Sequence, residues 1–265
     1  MNQTIKHQME HRSIREFSGE PVSDAMLKSI FEVANQTATS TGMQSSSIIR
    51  VTDPTKKAAL AEVCKQPYVM RTTELLIFIV DAYRNAVIAE QNNVFAESRA
   101  DMDRFFQGWT DATLMAQNVT TAVESLGLGA VFFGSILNDP AAVIKILDLP
   151  KLTFPVVGVG FGWPAQEPQL KPRMPLSMKL FENSYQFPVD FEKKLVEYDK
   201  VMQTYYDLRD ANKRVDSFSL QVVKRLENPI EKRGTILQVV QDQGFNLKVS
   251  ASRPKEELGK LSPFT

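Results

Sequence analysis

The sequence predicts a mixed helix-and-strand fold built around a buried sheet, and three observations carry that reading. Hydrophobic periodicity alternates between helical and extended along the chain, with no internal repeat and no low-complexity tract. The run from Leu75 to Val80 is continuously apolar, the pattern of a central strand buried on both faces. From about Phe105 to Leu126, the residues Trp109, Ala112, Met115, Ala116, Val119, Ala122, Val123 and Leu126 recur at helical spacing and predict the principal helix.

Near the start, Phe17-Ser18-Gly19-Glu20-Pro21 reads as an extended turn, and Ser23 is placed to cap a helix carrying Ala25, Met26, Leu27, Ile30, Phe31 and Ala34. Polar residues 35–47 predict a loop, followed by a short strand at Ser47-Ile48-Ile49-Arg50-Val51. Asp53-Pro54 combines an N-cap with proline at the first helical position, and Asp139-Pro140 repeats the device. Gly127 and Gly129 end the principal helix, after which Ala130-Val131-Phe132-Phe133-Gly134 reads as a strand or a tight extended turn. Pro155 to Trp163 is a second apolar strand, where Gly158, Gly160 and Gly162 permit close backbone approach. Beyond Pro175 the pattern turns to long helices such as Asp190 to Leu208, with Phe191, Leu195, Tyr198, Val201, Met202 and Tyr205. The chain thus divides into a core over residues 1–175 and a mostly helical extension over 176–265.

The 265 residues are 43% hydrophobic, enough for one large domain or one domain with an appendage. With 31 basic and 31 acidic residues there is no basic excess to neutralise a nucleic-acid backbone, so no nucleic-acid partner is expected. Residues 1–11 are polar and lack a secretory core, and Leu75–Val80 is too short to cross a bilayer. A cytoplasmic protein without membrane contact is expected. Cys64 is the single cysteine, which excludes an intrachain disulfide and a thiolate zinc site and favours a small buried hydrophobe.

Against this neutral background, His11-Arg12-Ser13-Ile14-Arg15 and Lys171-Pro172-Arg173 each gather positive charge. Arginine matches phosphate oxygens bidentately and lysine adds a point charge, so Arg15, Lys171 and Arg173 can together hold a phosphate dianion. Ordinary solvated surface charge is the competing explanation, and for Lys171-Pro172-Arg173 alone it is the stronger one. His7-Gln8-Met9-Glu10-His11 matches a zinc-peptidase pattern literally, yet this polar beginning offers no apolar helix to present it, and no metal is expected. Ser45-Ser46-Ser47 lacks the elbow of a serine hydrolase, and the glycines at 158, 160 and 162 are not followed by a dinucleotide-binding helix.

Seven short segments occur in order: residues 11–17, Gln44 to Arg50, Met115-Ala116-Gln117-Asn118, Glu124 to Gly129, Gly162-Trp163-Pro164, Leu170 to Arg173, and Glu182 to Gln186. Together, over about residues 5–220, they resemble the FMN-dependent nitroreductase family, in its oxygen-insensitive, NADPH-preferring nitroreductase and flavin reductase branch. The resemblance implies an α+β fold with a central, mainly antiparallel sheet flanked by helices. It also implies an interlocked homodimer and a helical C-terminal extension that contributes to the dimer and the NADPH loop.

By the same resemblance, His11, Arg12, Ser13 and Arg15 run along the ribityl chain and phosphate of FMN, and Lys171 and Arg173 close on the phosphate. Gln66 contacts the isoalloxazine, the backbone of Phe132, Phe133, Gly134 and Ser135 approaches the ring, and Thr39 and Ser40 belong to the partner-subunit wall. The family has a second glycine where Ser135 stands and often an aromatic where Gly42 stands. Arg209 and Arg214 match a mobile loop that grips the 2′-phosphate of NADPH, with a solvated helix end as the alternative. No protein side chain is expected to be catalytic, because flavin N5 accepts the hydride, and ping-pong reduction of nitroaromatics, quinones or free flavin follows. The alternative is a flavin-binding sensor or storage protein of the same fold without efficient turnover.

Overall fold

A computed structural model of the protein describes residues 1–205 and 216–248. Its elements run α1 (Gln3–Met9), α2 (Asp24–Asn35), β1 (Ser46–Arg50), α3 (Pro54–Cys64), β2 (Glu74–Asp81), α4 (Ala82–Gln91), α5 (Met102–Ser125), β3 (Gly129–Phe133), α6 (Pro140–Ile146), β4 (Thr153–Gly162), α7 (Phe191–Gln203), α8 (Phe218–Glu227), α9 (Glu231–Gly234) and α10 (Ile236–Asp242). The chain separates into two compact units, one of Met1–Pro168 with Ile230–Leu247, the other of Gln169–Pro229 with Lys248–Thr265.

In the first unit all four strands are antiparallel, in the order β1-β2-β4-β3. Strand β2 alternates its side chains between two separate apolar clusters. Leu76, Phe78 and Val80 face the helix α5 side with Ala112, Ala116, Val119 and Val123, while Leu75, Ile77 and Ile79 face α3 and α6 with Leu60, Cys64 and Val143. That double burial is why β2 reads as one continuous apolar run rather than an alternating one. Between Phe78 and Ile79 the register shifts, leaving Val156 of β4 as the extra residue of a bulge.

The helix starts follow their local chemistry. Ser23 accepts from Met26 N–H, Asp53 from Thr55 and Lys56 N–H, and Asp139 from Ala142 N–H, each cap worth about 1 kcal/mol. Helix α5 begins three residues earlier than Phe105 and is capped off before Leu126, which is 37% exposed rather than part of the buried stripe. Gly127 then takes φ +80°, a left-handed turn that starts the path into β3. The polar beginning does form a helix, α1, with Asn2 as its cap and no buried residue. Because α1 ends at Met9, His11 lies beyond it, and the two histidines do not share a helical face.

Residues 230–247 return to the first unit. Val240 and Phe245 are fully buried, and the Phe245 ring packs edge-on against Phe105 at 5.1 Å. The arm is also sewn in by main chain, with Leu152 N–H donating to Gln243 C=O at 2.7 Å and Asn246 N–H to Ala100 C=O at 2.8 Å. In the second unit, α7 buries Tyr198 and Met202, and Asp199 accepts from Ser219 N–H at the start of α8. Among the described residues no helix is long and apolar enough to cross a membrane.

Candidate functional site

Residues 11–18 run extended beside β3 and the end of β4. Ile14 N–H donates to Ala130 C=O at 2.9 Å, Ala165 N–H to Glu16 C=O at 2.9 Å, and Ser18 N–H to Trp163 C=O at 3.0 Å. Ile14 is buried against Gly129, where an added Cβ would sit 2.5 Å from the isoleucine side chain. Gly129 therefore lets the segment lie flat on β3. In an extended chain alternate side chains diverge, so burying Ile14 turns Ser13 and Arg15 the other way.

Arg15 holds its guanidinium carbon 5.7 Å from the centre of the Tyr68 ring, and Tyr68 in turn stacks on Phe133 at 5.8 Å. Such a cation over an aromatic face is worth about 0.5–1 kcal/mol where water has access. Helix α3 ends with Lys65 in the left-handed region, and Gln66 follows in an extended conformation before Pro67. There Gln66 Oε1 accepts from the Ser135 hydroxyl at 2.8 Å. The fold thus brings Arg15, Gln66 and the 133–135 turn, far apart in sequence, into one neighbourhood. Gly134 is exposed, and nothing lies within 4 Å of where its Cβ would be, so a ligand can approach it from that side, while its carbonyl is taken by Arg233. Phe132 is half-buried and Phe133 buried, as residues of β3.

Beside this neighbourhood, His11 Nδ1 lies 2.5 Å from Glu124 Oε1, so the carboxylate fixes the imidazole ring. Arg12 spends one terminal nitrogen on the Glu10 carbonyl at 3.1 Å, and its buried Nε has no partner. The buried Nε2 of Gln166 is likewise unpartnered, and both residues line a cleft of about 240 Å³ with His7, His11 and Glu124. The lining also carries the carboxylates of Glu10 and Glu167, and the unsatisfied Arg12 Nε and Gln166 Nε2 are donors that a ligand oxygen can satisfy. The donor set and the open backbone at Gly134 therefore fit a phosphate-tailed, planar-headed cofactor. Among the described residues no cluster of three or more histidine, cysteine or acidic side chains is arranged to hold a metal ion.

Thr39 and Ser40 begin a short loop in which Thr41, Gly42 and Gln44 all have positive φ. Its shape is held by Asp111, which is 0% exposed and accepts from Ser40 N–H at 2.7 Å and Ser45 N–H at 3.0 Å. Lys171 and Arg173 belong to the second unit and are exposed; Arg173 donates back to the Lys171 carbonyl at 2.9 Å. Burial raises the Tyr198 phenol's pKa, an effect that nearby Arg173 opposes. Arg209 and Arg214 lie outside the described residues.

Several residues here escape sequence reasoning. Tyr68 and Asp111 are known only through their contacts, although a lone aspartate on the apolar stripe of α5 is a visible oddity. The arm also carries Arg233, which donates to the Gly134 carbonyl and, at 3.1 Å, to Asn138 Oδ1, while its neighbour Lys232 pairs with Asp139. The glycines of β4 serve packing: Cβ atoms at Gly160 and Gly162 would collide with Thr72 and Thr73 at 2.4 and 2.3 Å. Cys64 is buried in the α3 side of the core.

The nitroreductase family model matches residues 9–163 and the model of the family's C-terminal domain matches residues 171–248. The chain is 38% identical over 246 residues to an oxygen-insensitive NADPH nitroreductase of Salmonella typhimurium, covering 92% of this chain and 99% of that one. It is 36% identical to an NADPH-dependent oxidoreductase of Staphylococcus saprophyticus, over 89% of this chain and 94% of the relative. The structure of an NADPH:FMN oxidoreductase from Vibrio harveyi, solved with NAD+, superposes with a TM-score of 0.81 at 33% identity, covering 92% of this chain and 99% of that one. The antiparallel sheet, the clustered cations and these matches lead to one assignment: the chain belongs to the nitroreductase family.

Proposed function

We propose that this chain is an FMN-dependent NADPH oxidoreductase that reduces nitroaromatics, quinones or free flavin, working as a cytoplasmic homodimer. The observation that carries the reading is the joining of Arg15, Tyr68 and Phe133 with Gln66 and Ser135 around the open backbone of Gly134. Relatives named as NADPH-dependent oxidoreductases over nearly their whole length support it.

In this reading His11, Arg12, Ser13 and Arg15 hold the phosphate and ribityl end of FMN, and the family resemblance adds Lys171 and Arg173 to the phosphate. The unpartnered Arg12 Nε gains an acceptor on binding. Glu124 keeps His11 in the orientation it needs. Gln66, Phe132, Phe133, Gly134 and Ser135 line the ring, and Thr39 and Ser40 of a second copy complete its other wall, their loop preshaped by Asp111. Bound FMN supplies the hydride chemistry, so the protein needs no nucleophile or general acid of its own. Its side chains bind, orient and keep water from the reacting face. Arg209 and Arg214 bind the 2′-phosphate of NADPH. The reductant test is the ratio of kcat/KM for NADPH to that for NADH: alanine at both positions should pull it toward one, and an unchanged ratio rejects their role.

Purified protein should be yellow, and anaerobic mixing with NADPH should bleach it within the turnover time, with colour restored by a nitroaromatic. A flavin-storing protein would stay coloured. A colourless protein that takes up no added FMN would reject the proposal.

A further inference from the structure

Ser135 stands where the family resemblance leads one to expect glycine, and its side chain is engaged rather than idle. Its hydroxyl donates to Gln66 Oε1 at 2.8 Å, tying the turn after β3 to the residue that follows α3. Behind it lies Cys64, 3% exposed, whose thiol pKa is raised by burial, an effect that Ser135 opposes.

A primary carboxamide has an acceptor end and a donor end, and by turning about its last bond it can present either one to a neighbour. With its oxygen taken by Ser135, Gln66 has its N–H2 end left for a ligand. We propose that Ser135 sets the polarity of Gln66 toward bound FMN, making it a donor to the acceptor atoms of the ring where charge accumulates on reduction. This rests on the reading that Gln66 lies against the flavin. A donor at that edge stabilises the reduced ring more than the oxidised one and raises the midpoint potential. Glycine at this position would leave the carboxamide free to turn its oxygen to the ring instead. Ser135 is therefore a positioning residue that acts through Gln66.

The test is spectroelectrochemical titration of the FMN-loaded wild type and the variants S135A, S135G, S135T, Q66A and S135A/Q66A, each first checked for FMN affinity and thermal unfolding. Both S135A and S135G should bind the reduced cofactor about tenfold less well relative to the oxidised one, a midpoint lowered by about 30 mV for a two-electron couple. S135T, which keeps the hydroxyl, should stay near wild type. Q66A should shift by a similar amount, and adding S135A to it should change nothing further. Wild-type potentials in S135A and S135G beside a shifted Q66A would overturn the role of Ser135 while leaving Gln66 at the ring. An S135A shift that persists undiminished in the Q66A background would equally overturn it. If Q66A alters neither the potential nor FMN affinity, the placement of Gln66 is wrong; if the wild type binds no FMN, the whole functional reading goes with it.

Discussion

The two cationic stretches are held in opposite ways. Residues 11–18 are sewn to β3 and β4 by main-chain hydrogen bonds, with Ile14 buried and Arg15 resting on Tyr68. Lys171 and Arg173 are exposed, and the arginine donates to the Lys171 and Pro172 carbonyls of its own stretch. The first stretch forfeits little conformational entropy when an anion arrives, because folding has already ordered it; the second must still order its side chains. Preorganised cations determine where a phosphate binds, whereas exposed ones add a salt-sensitive increment.

The largest expected contrast is in cofactor affinity. R12A/R15A should weaken FMN binding by at least a hundredfold in a fluorescence titration, since hydrogen bonds to charged groups contribute about 1.5–3 kcal/mol each. K171A/R173A should weaken it by roughly three- to tenfold, an increment that vanishes at high salt. Equal losses from the two pairs would erase the distinction.

Next comes stability. An alanine at Gly129 pushes on Ile14, so G129A should lower the unfolding free energy in urea by about 1–3 kcal/mol. R173A should stay within about 0.5 kcal/mol of wild type, as exposed substitutions do. An unaffected G129A would mean that the 11–18 segment is not clamped to β3.

The smallest effect concerns the arm, which combines main-chain stitching with a side-chain clip. At Asp139, burial pushes the carboxyl's pKa up, but hydrogen bonds from Lys232 and the Ala142 N–H outweigh it, and the net pKa lies below the ordinary 3.8. A depressed native pKa means that the clip's contribution is complete above about 3.8 and is lost as pH falls through the lower native value. K232A should therefore lower stability slightly at neutral pH, where the clip is complete, and converge on wild type as pH falls through the native pKa of Asp139, which flattens the acid limb. A K232A curve that coincides with wild type from neutral pH down to acid denaturation would show that the clip contributes nothing.

Much of the fold was legible because it is written locally. Ser23, Asp53 and Asp139 carry their caps within three residues, and β2 announces its double burial in its own composition. Leu126 misled because it continues the spacing of α5 after the chain has turned off at its C-terminal end. The arm was opaque for another reason: Phe245 is buried against Phe105, more than a hundred residues upstream, which no local pattern reveals. Site residues divide in the same way. The cations of residues 11–15 stand out by charge, and the resemblance gives them a ligand. Tyr68, Asp111 and Arg233 matter only through contacts that exist after folding.

The central claim is that the segment sewn to β3 is the anchor of an FMN site. Its most direct test is titration of FMN fluorescence with cofactor-free protein, wild type beside R12A/R15A, at low and high salt. The account predicts saturable quenching by the wild type that largely survives salt and is lost in the double variant; quenching indifferent to both arginines would contradict it.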